Sequence, residues 1–377
     1  MRRYPAFDPA EYQNWSADPA LVREYGERLK ADPERARVVA ELGGEQLLGL
    51  YAGMIRARLH DYALKRWVKQ GVISKAWLGT GEEAVTIGCV HALDRNTDIV
   101  GPMIRNAGAC HEMGMPIREM LAGYLGTTES PSGGFDLHIG DLKYNVLPPV
   151  SPVGDIAPVI AGIALSFKQR REKRVALTWI GDGSTKAGQV HEALNLAAVA
   201  RVPAIFVIQN NQVALGTRFD QHQAGDFRVW GQAYGMALFE ADGNNVLDIF
   251  AATRLAADRA RAGDGPSILL VETFRMGGHA THDEAEARST FAAELFDAWG
   301  KRDPIGMFEA WLVEDGHATR EELEAIEADV IAEIDAAAES ALMNRAEKMP
   351  APASAELAGV SAGVRQPGLA PRLGAAV

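Results

Sequence analysis

The feature that most constrains this chain is an alternation of apolar runs and helical patterns between residues 174 and 273. Residues 174–180 (RVALTWI) are almost continuously apolar, as expected of a parallel strand that is buried on both faces. Further strands are predicted at 98–101, 203–209, 236–241 and 267–273, and helices at 186–200, 221–234 and 246–262. Strands that alternate with helices in this way predict an α/β fold with a doubly wound parallel sheet.

Helical segments flank the predicted sheet on both sides. Apolar residues recur at helical spacing over residues 45–70, a second helix is predicted at 81–93, and Thr319 with Glu322 forms a capping box for a helix to about Met343. We therefore divide the chain into an N-terminal arm (1–44), one large domain (45–345) and a Pro- and Ala-rich tail (346–377) that we expect to be disordered. Residues 126–153 are rich in Gly, Ser and Pro, and such a long loop in a compact domain is usually functional or disordered.

Composition excludes several classes of protein. A net charge of −12 argues against a nucleic-acid-binding role, which requires a basic face. The two cysteines, Cys89 and Cys110, lack metal-ligand spacing and are expected to be buried thiols. The first 21 residues contain no apolar core of a secretory signal, and no apolar run is long enough to span a membrane. The predicted compartment is the cytoplasm, by default.

The segment Gly181-Asp182-Gly183-Ser184 directly follows one predicted strand and precedes a helix. Glycines at this point let backbone amides approach an anionic ligand, and a helix amino terminus favours an anion. The Asp182 carboxylate would repel a phosphate unless a divalent cation lay between them. Mg²⁺ takes about six oxygen ligands, typically one or two carboxylates together with substrate phosphates.

A second source of oxygen ligands follows the next strand, at Asn210-Asn211. Neighbouring parallel strands lie about 4.8 Å apart, so their carboxyl ends can share one ion. Asn211 offers an amide oxygen and Val213 a carbonyl. Taken alone, Gly-Asp-Gly could be a turn and Asn-Asn a helix cap. The order strand–GDG–helix–strand–NN, however, is that of the thiamine diphosphate motif.

The resemblance extends beyond this motif. The chain resembles the alpha subunit of the thiamine-diphosphate-dependent 2-oxo acid dehydrogenases, which act on pyruvate, branched-chain 2-oxo acids or acetoin. The similarity is carried by residues 181–211, Ala241-Asp242-Gly243-Asn244-Asn245-Val246, Gly278-His279-Ala280-Thr281 and Asp303-Pro304-Ile305.

The resemblance implies the roles of individual residues. It makes Asp182, Asn211 and the Val213 carbonyl ligands of Mg²⁺, and it makes His279 the catalytic histidine of a mobile loop. It implies cofactor contacts at Arg105, Ser151, Val153, Gly181, Asp182, Gly183, Ser184, Gln209, Asn211, Val213 and His279. His138 and His282 are further candidates. Ile104 stands where the family has tyrosine, which puts one cofactor contact in doubt.

The family also implies an activity and partners. Thiamine diphosphate with Mg²⁺ would support oxidative decarboxylation of a 2-oxo acid, with acyl transfer to a lipoyl group on an acyltransferase. A beta subunit would contribute the glutamate at the aminopyrimidine, in an α₂β₂ assembly. The alternatives are an acetoin dehydrogenase alpha subunit, a non-catalytic thiamine-diphosphate-binding homologue, and a nicotinamide-dependent oxidoreductase. The last is suggested by Gly79-Thr80-Gly81-Glu82-Glu83-Ala84, which fits G-x-G-x-x-A but follows no clean apolar strand.

Overall fold

The computed structural model describes residues 1–350 and contains one five-stranded sheet in which every strand pairing is parallel. Its strands, together with those of a small antiparallel hairpin (β4 and β5), are β1 Ile99–Gly101, β2 Ala176–Gly181, β3 Ala204–Asn210, β4 Val213–Ala214, β5 Thr217–Arg218, β6 Ala237–Asp242 and β7 Ser267–Glu272. The strand order of the sheet is β1-β2-β3-β7-β6. The predicted fold class is thereby confirmed. Most of the tail predicted to be disordered (346–377) lies outside the described residues.

Helices occupy both faces of the sheet and both ends of the described chain. They are α1 Ala10–Gln13, α2 Pro19–Lys30, α3 Pro33–Ala40, α4 Gly44–Lys69, α5 Glu83–His91, α6 Gly108–Glu112, α7 Ile117–Leu125, α8 Ile156–Gln169, α9 Gly188–Ala200, α10 Phe219–His222, α11 Trp230–Tyr234, α12 Val246–Arg261, α13 Glu284–Thr290, α14 Ala293–Gly300, α15 Pro304–Glu314 and α16 Arg320–Asn344. Among residues 1–350, none of these helices is both long and apolar enough to cross a membrane.

The prediction of a single helix at 221–234 is wrong. The chain forms α10 and α11 instead, with Gln223 in an extended conformation after α10. The Asp226 side chain then accepts a hydrogen bond of 2.9 Å from the Arg228 amide, which starts a new 3₁₀ turn before α11. Local side-chain capping competes with helix propagation at such acidic residues, and periodicity does not reveal it.

The continuous apolar runs reflect burial on both faces of the sheet. In β3, Ile205 and Val207 belong to the core shared with α5 and α12, whereas Phe206 and Ile208 belong to the core shared with α8 and α9. All four side chains are fully buried. Cys89 and Cys110 are buried in the first of these cores, as expected, and burial raises the pKa of each thiol to about 12.

A third core lies outside the sheet and joins both ends of the described chain to the rest. It is formed by apolar faces of α2, α4, α15 and α16. A buried ion network lies beside it: Arg58 of α4 donates to Glu83 at 2.5 Å and to Asp303 at 2.9 Å. Arg3 reaches the same Asp303 at 2.6 Å. Burial opposes ionisation of Asp303, but Arg58 and Arg3 hold the pKa of its carboxyl below its usual value.

We expect Asp303→Asn to lower the free energy of unfolding by about 3–5 kcal/mol, because it leaves the buried Arg58 guanidinium with one charged partner. Asparagine still caps α15, where Asp303 accepts from the Ile305 amide, so the effect isolates the ion pairs. Urea denaturation measures the change. Asp315→Asn, at an exposed carboxylate just after α15, is the control and should differ from the parent by less than about 0.5 kcal/mol. An equal effect of both substitutions would contradict this account.

Candidate active site

A cavity of about 560 Å³ opens at the carboxyl end of the sheet, where β1, β2 and β3 end. It is lined by Trp77, Pro102, Met103, Ile104, Arg105, Leu137, His138, Val150, Ser151, Val153, Gly154, Ile156, Trp179, Ile180, Gly181, Asp182, Gly183, Ser184, Asn211, Val213, Ala214, Leu215 and His279. The cavity thus brings together every predicted cofactor contact except Gln209. Ligand sites in open α/β sheets are expected at this edge.

Asp182 lies in the turn that follows β2 and is 2% exposed. Its Oδ2 atom has no hydrogen-bond partner among residues 1–350, and Nε2 of His222 is 3.5 Å away. Burial raises the pKa of the Asp182 carboxyl, an effect that the Gly183 amide and His222 oppose only in part. Buried polar atoms are nearly always paired in native proteins, so an unpaired carboxylate oxygen facing a cavity indicates a position for a cation.

The second group of oxygen ligands is held against this turn by close backbone approach. A Cβ atom on Gly183 would lie 2.6 Å from the Cβ of Ala214, so only glycine permits the contact between the GDG turn and β4. Asn211 and Val213 line the same cavity, and the Val213 amide lies 3.4 Å from Oδ1 of Asn211. One carboxylate, one amide oxygen and one carbonyl are the hard oxygen donors that suit Mg²⁺, with the remaining positions left for phosphate or water.

These three oxygen donors do not form a metal site in which the protein supplies every ligand. Among residues 1–350, no group of three or more His, Cys, Asp and Glu side chains is placed to hold a metal ion. A cation at Asp182 would therefore need oxygens from a ligand in the cavity, as Mg²⁺ does when it binds together with a phosphate compound.

Positive charge and a neutral histidine line the same cavity as Asp182. Nη2 of Arg105 is 3.1 Å from Nδ1 of His279 and 3.3 Å from its carbonyl oxygen. Burial lowers the pKa of His279 to about 4, and the charges of Arg105 and Arg275 act in the same direction. Because a guanidinium only donates, Nδ1 accepts and the ring proton of neutral His279 lies on Nε2.

Sequence reasoning missed one central residue, Glu82. Its carboxylate is 1% exposed and accepts hydrogen bonds from Nε2 of Gln209 (2.5 Å), Nδ2 of Asn211 (2.8 Å) and Nη1 of Arg105 (3.1 Å). Gln209 is fully buried behind the cavity wall, where its Oε1 accepts from Asn106 at 3.1 Å. Glu82 is more than a hundred residues from Gln209 and Asn211 in sequence, so no local pattern joins them.

Comparison with known proteins connects this geometry to a family. The sequence model of the family described as "Dehydrogenase E1 component" matches residues 51–352. The chain belongs to this family. It is 30% identical to the pyruvate dehydrogenase E1 component subunit alpha of Acholeplasma laidlawii, over 78% of this chain and 83% of that protein. It is 31% identical to the 2-oxoisovalerate dehydrogenase subunit alpha of Bacillus subtilis, over 73% and 84% respectively.

A third relative, the 3-methyl-2-oxobutanoate dehydrogenase subunit alpha of Mycobacterium tuberculosis, is 32% identical over 73% of each chain. Together these matches confirm the resemblance to alpha subunits of 2-oxo acid dehydrogenases. They give no support to a nicotinamide site in this E1 component at Gly79–Ala84. Within the described residues, β1 is the first strand and begins only at Ile99, so no strand leads into that segment.

The remaining histidine candidates of the E1 component differ in position. His138 lines the cavity, and its Nδ1 lies 2.7 Å from Oδ1 of Asp136. His282 is exposed and is not a lining residue. His222, which the sequence did not single out, lies beside Asp182 with both ring nitrogens buried, and neither has a hydrogen-bond partner within the described part of the chain. Ile104 lines the cavity and adds an apolar residue to its wall.

Proposed function

We propose that this chain is the alpha subunit of a 2-oxo acid dehydrogenase that binds thiamine diphosphate and Mg²⁺ in the cavity at the end of the sheet. Its activity would be oxidative decarboxylation of a 2-oxo acid with acyl transfer to a lipoyl group. The observation that carries the proposal is the unpaired, buried Oδ2 of Asp182, which shares one cavity with Asn211 and Arg105. Family membership supplies the reaction class.

The residues present fit such a cofactor. Asp182, Asn211 and the Val213 carbonyl would hold Mg²⁺, and the backbone amides of Gly183 and Ser184 would face the diphosphate. Arg105 would add positive charge on the same side. Ser151 and Val153 would lie beside the aminopyrimidine. Gln209 would support the site from behind the cavity wall, through its hydrogen bond to Glu82. When bound, thiamine diphosphate supplies an electron sink for the electrons released as carbon dioxide leaves.

His279 would move a proton rather than carry charge in the resting site. With its pKa lowered to about 4, the ring is neutral near pH 7, and Arg105 fixes which nitrogen carries the proton. Nε2 can then donate to an oxygen of the substrate or acyl group. Trp77, Ile104 and Leu137 add apolar surface to the cavity and would limit the access of water.

The substrate is proposed from the relatives. Their printed names give pyruvate for one and 2-oxoisovalerate or 3-methyl-2-oxobutanoate for others, so pyruvate and branched-chain 2-oxo acids are the candidates. Acetoin stays an alternative. Ile104 favours one further candidate, a homologue that binds thiamine diphosphate without turnover, because the tyrosine hydroxyl of the family is missing there.

A beta subunit is proposed as the partner that completes the site. The relatives are all named as alpha subunits, which implies further subunits. α8 begins at Ile156, which lines the cavity, and α9 follows the GDG turn. The outer faces of these two helices expose Val159 (45%), Leu196 (48%) and Val199 (77%). Val153, at the cavity wall, is 58% exposed. We propose that the beta subunit covers this face, in an α₂β₂ assembly that also meets a lipoyl-bearing acyltransferase, in the cytoplasm.

Turnover by the reconstituted enzyme tests the function. The full chain is co-expressed with the beta subunit proposed as its partner and assayed with thiamine diphosphate, Mg²⁺ and a lipoyl acceptor. We expect acyl transfer from pyruvate or a branched-chain 2-oxo acid, and no turnover by the chain alone. Activity on acetoin only would select the acetoin alternative. Cofactor binding without turnover of any of these substrates would select the non-catalytic homologue.

A further inference from the structure

Glu82 is a buried acid that contacts both Asn211 and Arg105. Its Oε1 accepts from Asn211, the proposed metal ligand, and its Oε2 accepts from Arg105, the proposed diphosphate ligand. It is almost fully buried at the amino terminus of α5 and does not line the cavity. The Glu82 carboxylate is therefore not placed to contact a cofactor in the cavity directly.

The contact with Asn211 has a directional consequence. A carboxylate only accepts hydrogen bonds, so Asn211 must turn its Nδ2 group toward Glu82. The amide oxygen Oδ1 is then left on the side of Val213, where it lies 3.4 Å from that residue's amide nitrogen. Since only Oδ1 can bind a cation, the hydrogen bond that Glu82 accepts decides whether Asn211 presents a ligand atom or an NH₂ group to the cation.

The contact with Arg105 has a second consequence. Arg105 uses Nη1 for Glu82 and Nη2 for His279, so the carboxylate anchors the guanidinium that orients the histidine. Nε2 of Gln209 donates a hydrogen bond of 2.5 Å to the same Oε1 and further restricts the Glu82 side chain. One buried acid thus connects the metal ligand, the arginine and the histidine.

We propose that Glu82 is a positioning residue that sets the amide orientation of Asn211 and thereby the affinity of the site for Mg²⁺. This inference rests on the proposed thiamine diphosphate–Mg²⁺ function. Residues behind metal ligands typically change metal affinity by about 10- to 100-fold when they are replaced. Glu82→Gln brings an NH₂ group to the position of one carboxylate oxygen. Where this NH₂ group faces Asn211, it favours the opposite orientation of the Asn211 amide, with Nδ2 rather than Oδ1 toward the cation.

A compensating pair of substitutions separates this role from simple structural support. In Asn211→Asp both terminal atoms are oxygens, so orientation no longer matters. In the double variant Glu82→Gln/Asn211→Asp, the new amide at position 82 donates to one oxygen of the new carboxylate at position 211, and the other oxygen stays available to the cation. The double variant also keeps the net charge of the parent. We therefore expect Glu82→Gln to weaken Mg²⁺ binding by roughly 10- to 100-fold and the double variant to recover most of that loss.

The measurement is an Mg²⁺ titration at fixed thiamine diphosphate, followed by quenching of tryptophan fluorescence, since Trp77 and Trp179 line the cavity. It uses the full chain in the assembly that it forms with its beta subunit. Glu83→Gln is the matched control: it removes the neighbouring buried carboxylate, which pairs with Arg58 rather than with the site. It should lower the melting temperature and leave the Mg²⁺ midpoint within about twofold of the parent, because it orients no ligand atom.

The possible outcomes distinguish failure of the proposed function from failure of the proposed role of Glu82. If the parent itself shows no Mg²⁺-dependent binding, the proposed function fails rather than the role of Glu82. If the parent binds and Glu82→Gln shares its Mg²⁺ midpoint, or the double variant recovers nothing, the positioning role is overturned. If Glu82→Gln does not fold, Glu82→Asp and Glu82→Asn repeat the comparison one methylene shorter, and the carboxylate variant must bind Mg²⁺ about tenfold more tightly than the amide variant.

Discussion

Asp182→Ala is expected to abolish Mg²⁺-dependent binding of thiamine diphosphate, a loss on the order of 100-fold or more in cofactor affinity. The reason is that, among the lining residues in the described range 1–350, only Asp182 carries a carboxylate side chain. Without it, a hard cation would keep only neutral protein ligands, and the negative charges of the diphosphate would lose their counterion. Titration of the cofactor with and without Mg²⁺, followed by calorimetry, measures the effect.

The same substitution should not destabilise the cofactor-free protein. Oδ2 of Asp182 is buried and unpaired, and burial raises the pKa of this carboxyl, so its removal relieves a desolvation cost of about 1–3 kcal/mol. We expect an equal or higher melting temperature together with lost binding. Asp220→Ala, at an exposed carboxylate of α10, is the charge-matched control and should keep normal affinity. Unchanged Mg²⁺ dependence in Asp182→Ala would remove the metal assignment.

Val199→Lys is expected to prevent assembly with the beta subunit and so to abolish turnover. Val199 is 77% exposed near the carboxyl end of α9, where a lysine is compatible with the helix dipole, so the isolated chain should keep its stability within about 0.5 kcal/mol. In the proposed interface the same ammonium group would be buried without a partner. Such a charge costs about 2–5 kcal/mol, which corresponds to a loss of roughly 30- to 5,000-fold in affinity.

Size-exclusion chromatography of the co-expressed subunits and the decarboxylation assay give two independent measurements of this effect. The matched control is Met343→Lys, which places the same charge on a 74% exposed apolar side chain in the last turn of α16. It should assemble normally, because α16 is not part of the proposed face. Normal assembly of Val199→Lys would mean that the beta subunit covers another surface.

Much of the fold could be predicted because it depends on local pattern. The run at 174–180 is almost continuously apolar because its side chains enter two cores in turn, and the structure places β2 at Ala176–Gly181. The GDG turn and Asn211 were found because each directly follows a strand of the sheet, and parallel strands that pair in register bring their carboxyl ends together. The helix predicted at 221–234 was wrong because α10 already ends at His222 and the side chain of Asp226 starts a new 3₁₀ turn before α11.

By itself, the sequence determined the α/β class, the order of the sheet-forming segments and the motif residues Asp182 and Asn211, since these are encoded in periodicity and in neighbouring residues. Only the tertiary structure decided that Glu82 joins Asn211 to Arg105, that Arg105 sets the proton position on His279, and that Arg3 and Arg58 meet at Asp303. These contacts join residues far apart in sequence, and their strength comes from burial. Burial is a property of the packed chain that no local segment carries.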